Sequence, residues 1–173
     1  MLKPYYSYIK IKMLKICCEQ LEVQGLKIAF IESASAGYLA SQFALYKNCG
    51  ANILLGGLVC YDPCVKQKIL GISKELIQKH TAESQEVTEA MAVAGQRLFH
   101  QADIIIACTG LLKSGGSATL DKPEGTFFLS INYQGDIHTQ RYYFKHAPTL
   151  RLNALIFEVC QLLMKTLKDG VSS

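Results

Sequence analysis

The 173-residue chain is poor in charge: 18% of its residues are Asp, Glu, Lys or Arg, while 50% are hydrophobic. That balance excludes an intrinsically disordered chain, which needs abundant charge and few apolar groups. Long apolar runs are missing as well. No stretch approaches the 18 uninterrupted apolar residues of a membrane span. In the opening residues, MLKPYYSYIKIKMLK, Lys3, Lys10, Lys12 and Lys15 break the apolar character too often for a secretory signal. The net charge of +4 is small and spread along the chain, with no basic cluster interleaved with aromatics to mark a nucleic-acid surface. The expectations are a cytoplasmic protein with no membrane and no nucleic-acid partner.

Two chemistries lack their signatures. Cys60 and Cys64 come nearest to metal-ligand spacing, but no second Cys or His pair stands at a matching distance, so no metal is expected. The loop Ser114-Gly115-Gly116-Ser117 lacks the Gly-Lys-Ser/Thr ending of an ATP-binding P-loop. The seven cysteines are odd in number and sit mostly in apolar stretches, as reduced core thiols do. His80, His100, His138 and His146 are scattered and receive no role.

What is present is an alternation of helical and strand patterns in a chain long enough for one substantial core. Helical spacing predicts a first helix from about Ile9 to Val23, ended by Gly25. Residues 1–12 read as an extension before Met13 or as an extra helix start. A buried strand follows at Lys27–Ile31, then a helix at about Ala36–Tyr46 with Leu39, Phe43, Ala44 and Tyr46 on one face, and a turn at Lys47–Gly50. Ile53–Tyr61 reads as a second buried strand, with Gly56 and Gly57 marking a bulge or a close approach by another segment. Pro63 opens a short helix ended by Gly71. Ser73 caps a helix over Lys74–Lys79, and Ser84 caps a longer one that buries Val87, Met91, Ala94, Leu98 and Phe99. Ala102–Thr109 is a third buried strand. Gly110–Glu124 is a loop, and Gly125–Tyr133 with Asp136–Phe144 forms a hairpin. A helix over about Thr149–Leu167 closes the chain. Strands separated by helices imply an α/β fold: a three-layer α/β/α sandwich with a mixed, mostly parallel sheet of about five to six strands, in a single domain over residues 1–173.

Three segments fall at the C-terminal ends of predicted strands: Glu32–Gly37, Tyr61–Lys66, and Thr109 with its loop. Ligands bind at those ends in an open α/β sheet. At the first, Ser33 stands on a turn of small residues between strand and helix, where a hydroxyl is free to act as a nucleophile. A plain reading is also available: Ser33 or Ser35 simply caps the helix. At the second, Lys66 on the first turn of its helix can reach back over the strand end. A lysine made neutral by burial can serve a serine as base, with Tyr61 orienting it; otherwise it is a solvated helix lysine. At the third, Gly115 and Gly116 offer bare backbone N–H groups for a phosphate or oxyanion, or merely form a surface loop.

Taken together, the segments resemble the CinA C-terminal domain family, the nicotinamide-mononucleotide amidohydrolases also called PncC. The resemblance covers about Met13 to Lys168. Ile31-Glu32-Ser33-Ala34-Ser35-Ala36-Gly37 matches the family's A-E-S-x-T-G-G. Gly57, Val59, Tyr61, Lys66, Ile69, Leu70 and Gly71 fit G-x-V-x-Y-x-x-x-x-K-x-x-L-G. Glu83-Ser84-Gln85-Glu86-Val87 leads to Met91-Ala92, as V-S-x-E-V-x-x-x-M-A does. Cys108-Thr109-Gly110 leads to Gly115-Gly116 and then to Lys122-Pro123-Glu124-Gly125, as in V-T-G-x-x-G-P-x-G-G and K-P-x-G.

The resemblance implies removal of ammonia from the carboxamide of nicotinamide mononucleotide or a related pyridine nucleotide, with no cofactor and no metal. It implies Ser33 as nucleophile, Lys66 as base and Tyr61 assisting. It leaves Ser35 as the helix cap and assigns substrate binding to Glu32, Ser35, Ala36, Gly37, Thr109, Gly110, Gly115 and Gly116. Self-association is expected, although the sequence names no interface. Some positions depart from the family pattern. Ala36 replaces a glycine and is strained if that position has positive φ. Leu111-Leu112-Lys113-Ser114 replaces a Gly-Pro, and His146-Ala147-Pro148 replaces Gly-Asp-Arg, which removes an arginine suited to a phosphate. Arg151, Lys113 and Arg141 are the available substitutes, with Arg151 assigned to the substrate. The departures keep a second reading open: a non-catalytic nucleotide-binding or interaction module on the same fold.

Overall fold

The computed structural model describes residues 3–45 and 50–170, with the side chains of 3–9 and 170 left aside. The expected turn at Lys47–Gly50 and the packing of Tyr46 fall largely outside the described residues. The elements run α1 (Lys3–Val23), β1 (Ile28–Glu32), α2 (Tyr38–Leu45), β2 (Leu54–Val59), α3 (Pro63–Lys68), α4 (Lys74–His80), α5 (Gln85–Leu98), β3 (Ile104–Gly110), β4 (Thr126–Tyr133), β5 (Asp136–Tyr143) and α6 (Pro148–Gly170). A short 3₁₀ turn at Gly50–Asn52 precedes β2.

The five strands form one sheet in the order β2-β1-β3-β4-β5. β1 pairs in parallel with β2 and β3, while β4 runs antiparallel to both β3 and β5. Four strands therefore point the same way, and their C-terminal ends share one edge of the sheet. Alternation along the central strands divides the core. Ile28 and Phe30 of β1, and Ile104, Ile106 and Cys108 of β3, face α1, α2 and α6. Ala29 and Ile31, with Ile105 and Ala107, face α5. Each fully buried Phe or Leu in these layers contributes roughly 1.5–3 kcal/mol. Gly95 lets α5 lie close: a Cβ there would come within 2.7 Å of Ile31 and Ile105 side-chain atoms.

Several expectations shift. α1 begins at Lys3, before Ile9, so residues 3–12 belong to that helix. β2 is an edge strand, only partly buried, with Val59 exposed; its apolar sequence covers a single neighbour. Both readings of its glycines hold. The register slips between Ile28 and Ala29 opposite Leu54 and Gly56, and a Cβ on Gly57 would meet the Phe30 carbonyl at 2.8 Å. Leu98 is exposed at the end of α5, where the helix passes the edge of the sheet layer. The caps of α4 and α5 are Ser73 and Ser84, as expected.

Candidate active site

The β1–α2 turn is built by Glu32. Its carboxylate is 1% exposed and accepts hydrogen bonds from the N–H groups of Gly37 (3.0 Å), Leu39 (3.1 Å) and Ala40 (2.8 Å). Those are the unpaired donors of a helix N-terminus, and a carboxylate is well suited to satisfy them. Glu32 thus shapes the turn and turns its charge away from the cavity. The cap expected of Ser35 is supplied by Glu32; the Ser35 hydroxyl is buried against the Cys108 thiol and accepts from no backbone N–H among the described residues. Ala36 adopts φ +50° and Gly37 φ +90°. The turn therefore does demand left-handed backbone at Ala36, where a Cβ costs energy.

Ser33, first after β1, is held by its own N–H donating to the Cys108 carbonyl of β3 at 2.9 Å. Its hydroxyl meets Lys66: Nζ lies 2.9 Å from Ser33 Oγ and 3.0 Å from the Cys60 carbonyl. Lys66 sits on α3, whose start is fixed by Pro63 and by the Asp62 side chain accepting from the Cys64 N–H at 2.6 Å. At 0% exposure, Lys66 is among the largest fully buried side chains. Burial strips its ammonium of water and pushes its pKa below 10.5, opposed by the negative charge that Cys60, Glu83, Asp62 and Cys108 can carry. Burial raises both thiols, Cys60 to about 11, so near neutrality neither supplies that opposing charge.

A cavity of about 210 Å³ opens beside this pair, lined by Ser33, Ala34, Tyr61, Glu83 and residues 110–116. The ends of β1, β2 and β3 converge on it, as the sequence implied. Gly110, Gly115 and Gly116 line it. Tyr61 is 65% exposed at its rim, and its hydroxyl bonds neither Ser33 nor Lys66. Thr109 turns inward: its Oγ1 is buried 2.7 Å from Thr88 Oγ1, so this side chain ties β3 to α5.

Among the three basic substitutes, only Lys113 lines the cavity. Arg151 braces the loop ends instead, donating to the Leu112 carbonyl, the Glu124 carboxylate and the Phe144 carbonyl. Gly125 makes room for that brace, since a Cβ there would lie 2.4 Å from the Phe144 oxygen. Arg141 donates to the Asp121 carbonyl and lies over the Phe128 ring.

Glu83 is the cavity residue that the sequence reading did not single out. It sits between α4 and α5, far from every strand end in sequence. Ser117 Oγ donates to its Oε2 at 2.6 Å, and Lys122 Nζ reaches Ser117 Oγ (2.7 Å), the Glu83 carbonyl (2.8 Å) and Thr81 Oγ1 (2.6 Å). This network pins the glycine loop over the cavity. The only cue was that Glu83 and Lys122 begin two of the quoted motif segments.

No group of three or more metal-binding side chains occurs among the described residues, and the six described cysteines are free. No described helix is long and apolar enough to cross a membrane.

Residues 10–167 match the family described as the CinA C-terminal domain. A CinA-like protein of Mycolicibacterium vanbaalenii is 37% identical over 117 residues, 68% of this chain and 27% of that protein. A CinA-like protein of a Geobacter species is 34% identical over 125 residues, 72% of this chain and 30% of that one. The chain thus spans less than a third of the length of these curated relatives. Among solved structures, the competence or damage-inducible protein of Enterobacter asburiae superposes with a TM-score of 0.82 at 25% identity, covering 90% of this chain and 97% of that one.

Proposed function

The chain belongs to the CinA C-terminal domain family, and from that premise we propose that it is an amidohydrolase releasing ammonia from the carboxamide of nicotinamide mononucleotide or a related pyridine nucleotide. The observation that carries the reading is the buried Lys66 Nζ within 2.9 Å of Ser33 Oγ, beside an open cavity. When Lys66 is neutral, the contact runs from hydroxyl to amine. Ser33 Oγ attacks the carboxamide carbon, and its proton passes to Lys66. The oxygen of the tetrahedral intermediate needs donors. The Ala34 N–H follows the nucleophile, lines the cavity and makes no backbone hydrogen bond among the described residues. Lys66 returns the proton to the departing nitrogen, which leaves as ammonia. A water then hydrolyses the acyl-serine, yielding the carboxylate and free Ser33.

Tyr61 at the rim closes over the ring, while Lys113 and the loop N–H groups take the anionic end. The test is ammonia release from a panel of pyridine nucleotides by wild type and Ser33→Ala. Wild type is expected to turn over nicotinamide mononucleotide, and Ser33→Ala to be inert. A Ser33→Ala protein as fast as wild type removes the nucleophile assignment. Measurable turnover would equally dispose of the non-catalytic module.

A further inference from the structure

The glycine loop reaches the cavity on an arm with no backbone fastening of its own. Leu111 closes one end: its N–H donates to the Thr126 carbonyl, and its carbonyl accepts from the Gly125 N–H. From Lys113 to Ala118 no backbone group makes a hydrogen bond among the described residues, although Lys113, Ser114, Gly115 and Gly116 line the cavity. What holds the far end is a hook of two loop side chains on the turn between α4 and α5. Lys122 Nζ donates to Thr81 Oγ1 (2.6 Å), the Glu83 carbonyl (2.8 Å) and Ser117 Oγ (2.7 Å). A lysine ammonium only donates, so the Ser117 hydroxyl accepts from Lys122 and gives its one proton to Glu83 Oε2, 2.6 Å away. The chain of donors runs one way and starts at Lys122. Two bonds between Thr119 and Lys122, each from a backbone N–H, keep the hook compact.

The turn that receives the hook is strained. Thr81 has φ +69° and ψ +158°, a region that suits glycine and is an outlier for a β-branched residue. Such a backbone persists only where its surroundings over-determine it. Here Ser84 Oγ donates to the Thr81 carbonyl at 3.1 Å, and Lys122 occupies the Thr81 hydroxyl. Glycine would be unstrained at this position but has no hydroxyl for Lys122.

We infer that Lys122 is a positioning residue: through Ser117 and the Thr81 socket it holds the Lys113–Gly116 arm over the cavity, so that the arm meets its ligand pre-organised. Lys122 itself does not line the cavity. The inference rests on the amidohydrolase reading for its kinetics but not for its binding. Loosening the arm weakens contacts made alike in the ground and transition states, so it raises KM and spares kcat.

The probes are nicotinamide mononucleotide, whose phosphate is the group offered to the arm, and nicotinamide riboside, the same ring and amide without it. Wild type is compared with Lys122→Met, which keeps the stem and removes the donors, and with Ser117→Ala, which keeps the lysine charge and cuts the arm from the hook. Both variants should raise KM for the nucleotide about tenfold, with kcat falling less than about threefold. KM for the riboside should move by less than about threefold. Trypsin cleavage after Lys113, followed by mass spectrometry, should be faster in both variants, because the arm opens more often.

A nucleotide KM in Lys122→Met within about threefold of wild type overturns the inference. So does an equal rise in KM for both probes, which would mean a general loosening of the fold, or a fall in kcat at unchanged KM, which would place the effect on Ser33 and Lys66. Ser117→Ala with the KM of wild type also overturns it, since Lys122 would then act by its charge alone. If wild type releases no ammonia from either probe, calorimetry on the same proteins decides. Loss of nucleotide affinity in both variants keeps Lys122 in this role and removes the amidohydrolase reading. Unchanged nucleotide affinity, or no binding by wild type, overturns the inference.

Discussion

Replacing Glu32 by glutamine tests what holds the candidate nucleophile in place. Its carboxylate accepts three backbone N–H bonds from the first turn of α2, at 2.8–3.1 Å, from a position with 1% exposure. Glutamine keeps one oxygen and turns an NH₂ group toward the remaining donor. One charge-assisted bond, worth about 1.5–3 kcal/mol, is lost, and the other two weaken to neutral ones. The attraction between the carboxylate and the helix N-terminus also goes, at about 0.3–1 kcal/mol. Sparing the burial of a charge offsets part of this. A net loss of roughly 2–4 kcal/mol follows. Urea denaturation followed by circular dichroism reads it directly as a lower midpoint with an unchanged slope. Since the turn also sets Ser33 and Ala34, any amidase activity should fall even where the variant is fully folded. A midpoint within about 0.5 kcal/mol of wild type would refute the reasoning, because it would mean that the three bonds do not hold the turn.

Ala36→Gly should stabilise the protein. Left-handed backbone costs a residue with a Cβ about 1–2 kcal/mol, while glycine's extra freedom when unfolded costs about 0.5–1 kcal/mol. The exposed Ala36 side chain offers little packing in return, so a gain of about 0.5–1 kcal/mol is expected by denaturation. Gly95→Ala should destabilise by about 1–3 kcal/mol, since its Cβ would meet Ile31 and Ile105 at 2.7 Å. In a pH–rate profile, kcat/KM should rise as Lys66 loses its proton, at a pH below the ordinary 10.5, and then level off. Lys66 also links pH to stability. Its folded pKa lies below its unfolded value, so between the two the unfolded chain holds the extra proton and stability rises with pH. Lys66→Met should remove that slope, as denaturation at several pH values would show.

The strand–turn–helix around Ser33 was legible because small residues between an apolar run and a helical pattern leave few alternatives. Lys66 was legible because Pro63 fixed the register of its helix, so the lysine had to fall on the first turn. Glu32 was harder to read. An acid at a strand end looks the same in sequence whether it meets a ligand or the next helix, and only its three backbone donors separate the two. The contacts of Thr109 and Arg151 were hidden for a related reason: polar residues beside a glycine loop can face the cavity or brace the scaffold behind it. The partial exposure of β2 was hidden because an edge strand with a bulge can be as apolar as a central one. Glu83 lay beyond local pattern altogether. It reaches the cavity because α4 and α5 fold back under the glycine loop, and no spacing in the chain encodes that.

The most direct test of the Ser33–Lys66 assignment is intact-protein mass spectrometry on the wild-type protein, quenched with acid during turnover of nicotinamide mononucleotide. The expected result is a transient adduct equal to the substrate less ammonia, mapped to the peptide containing Ser33 and absent from Ser33→Ala. Ammonia release with no adduct on that peptide, sustained in Ser33→Ala, would contradict it.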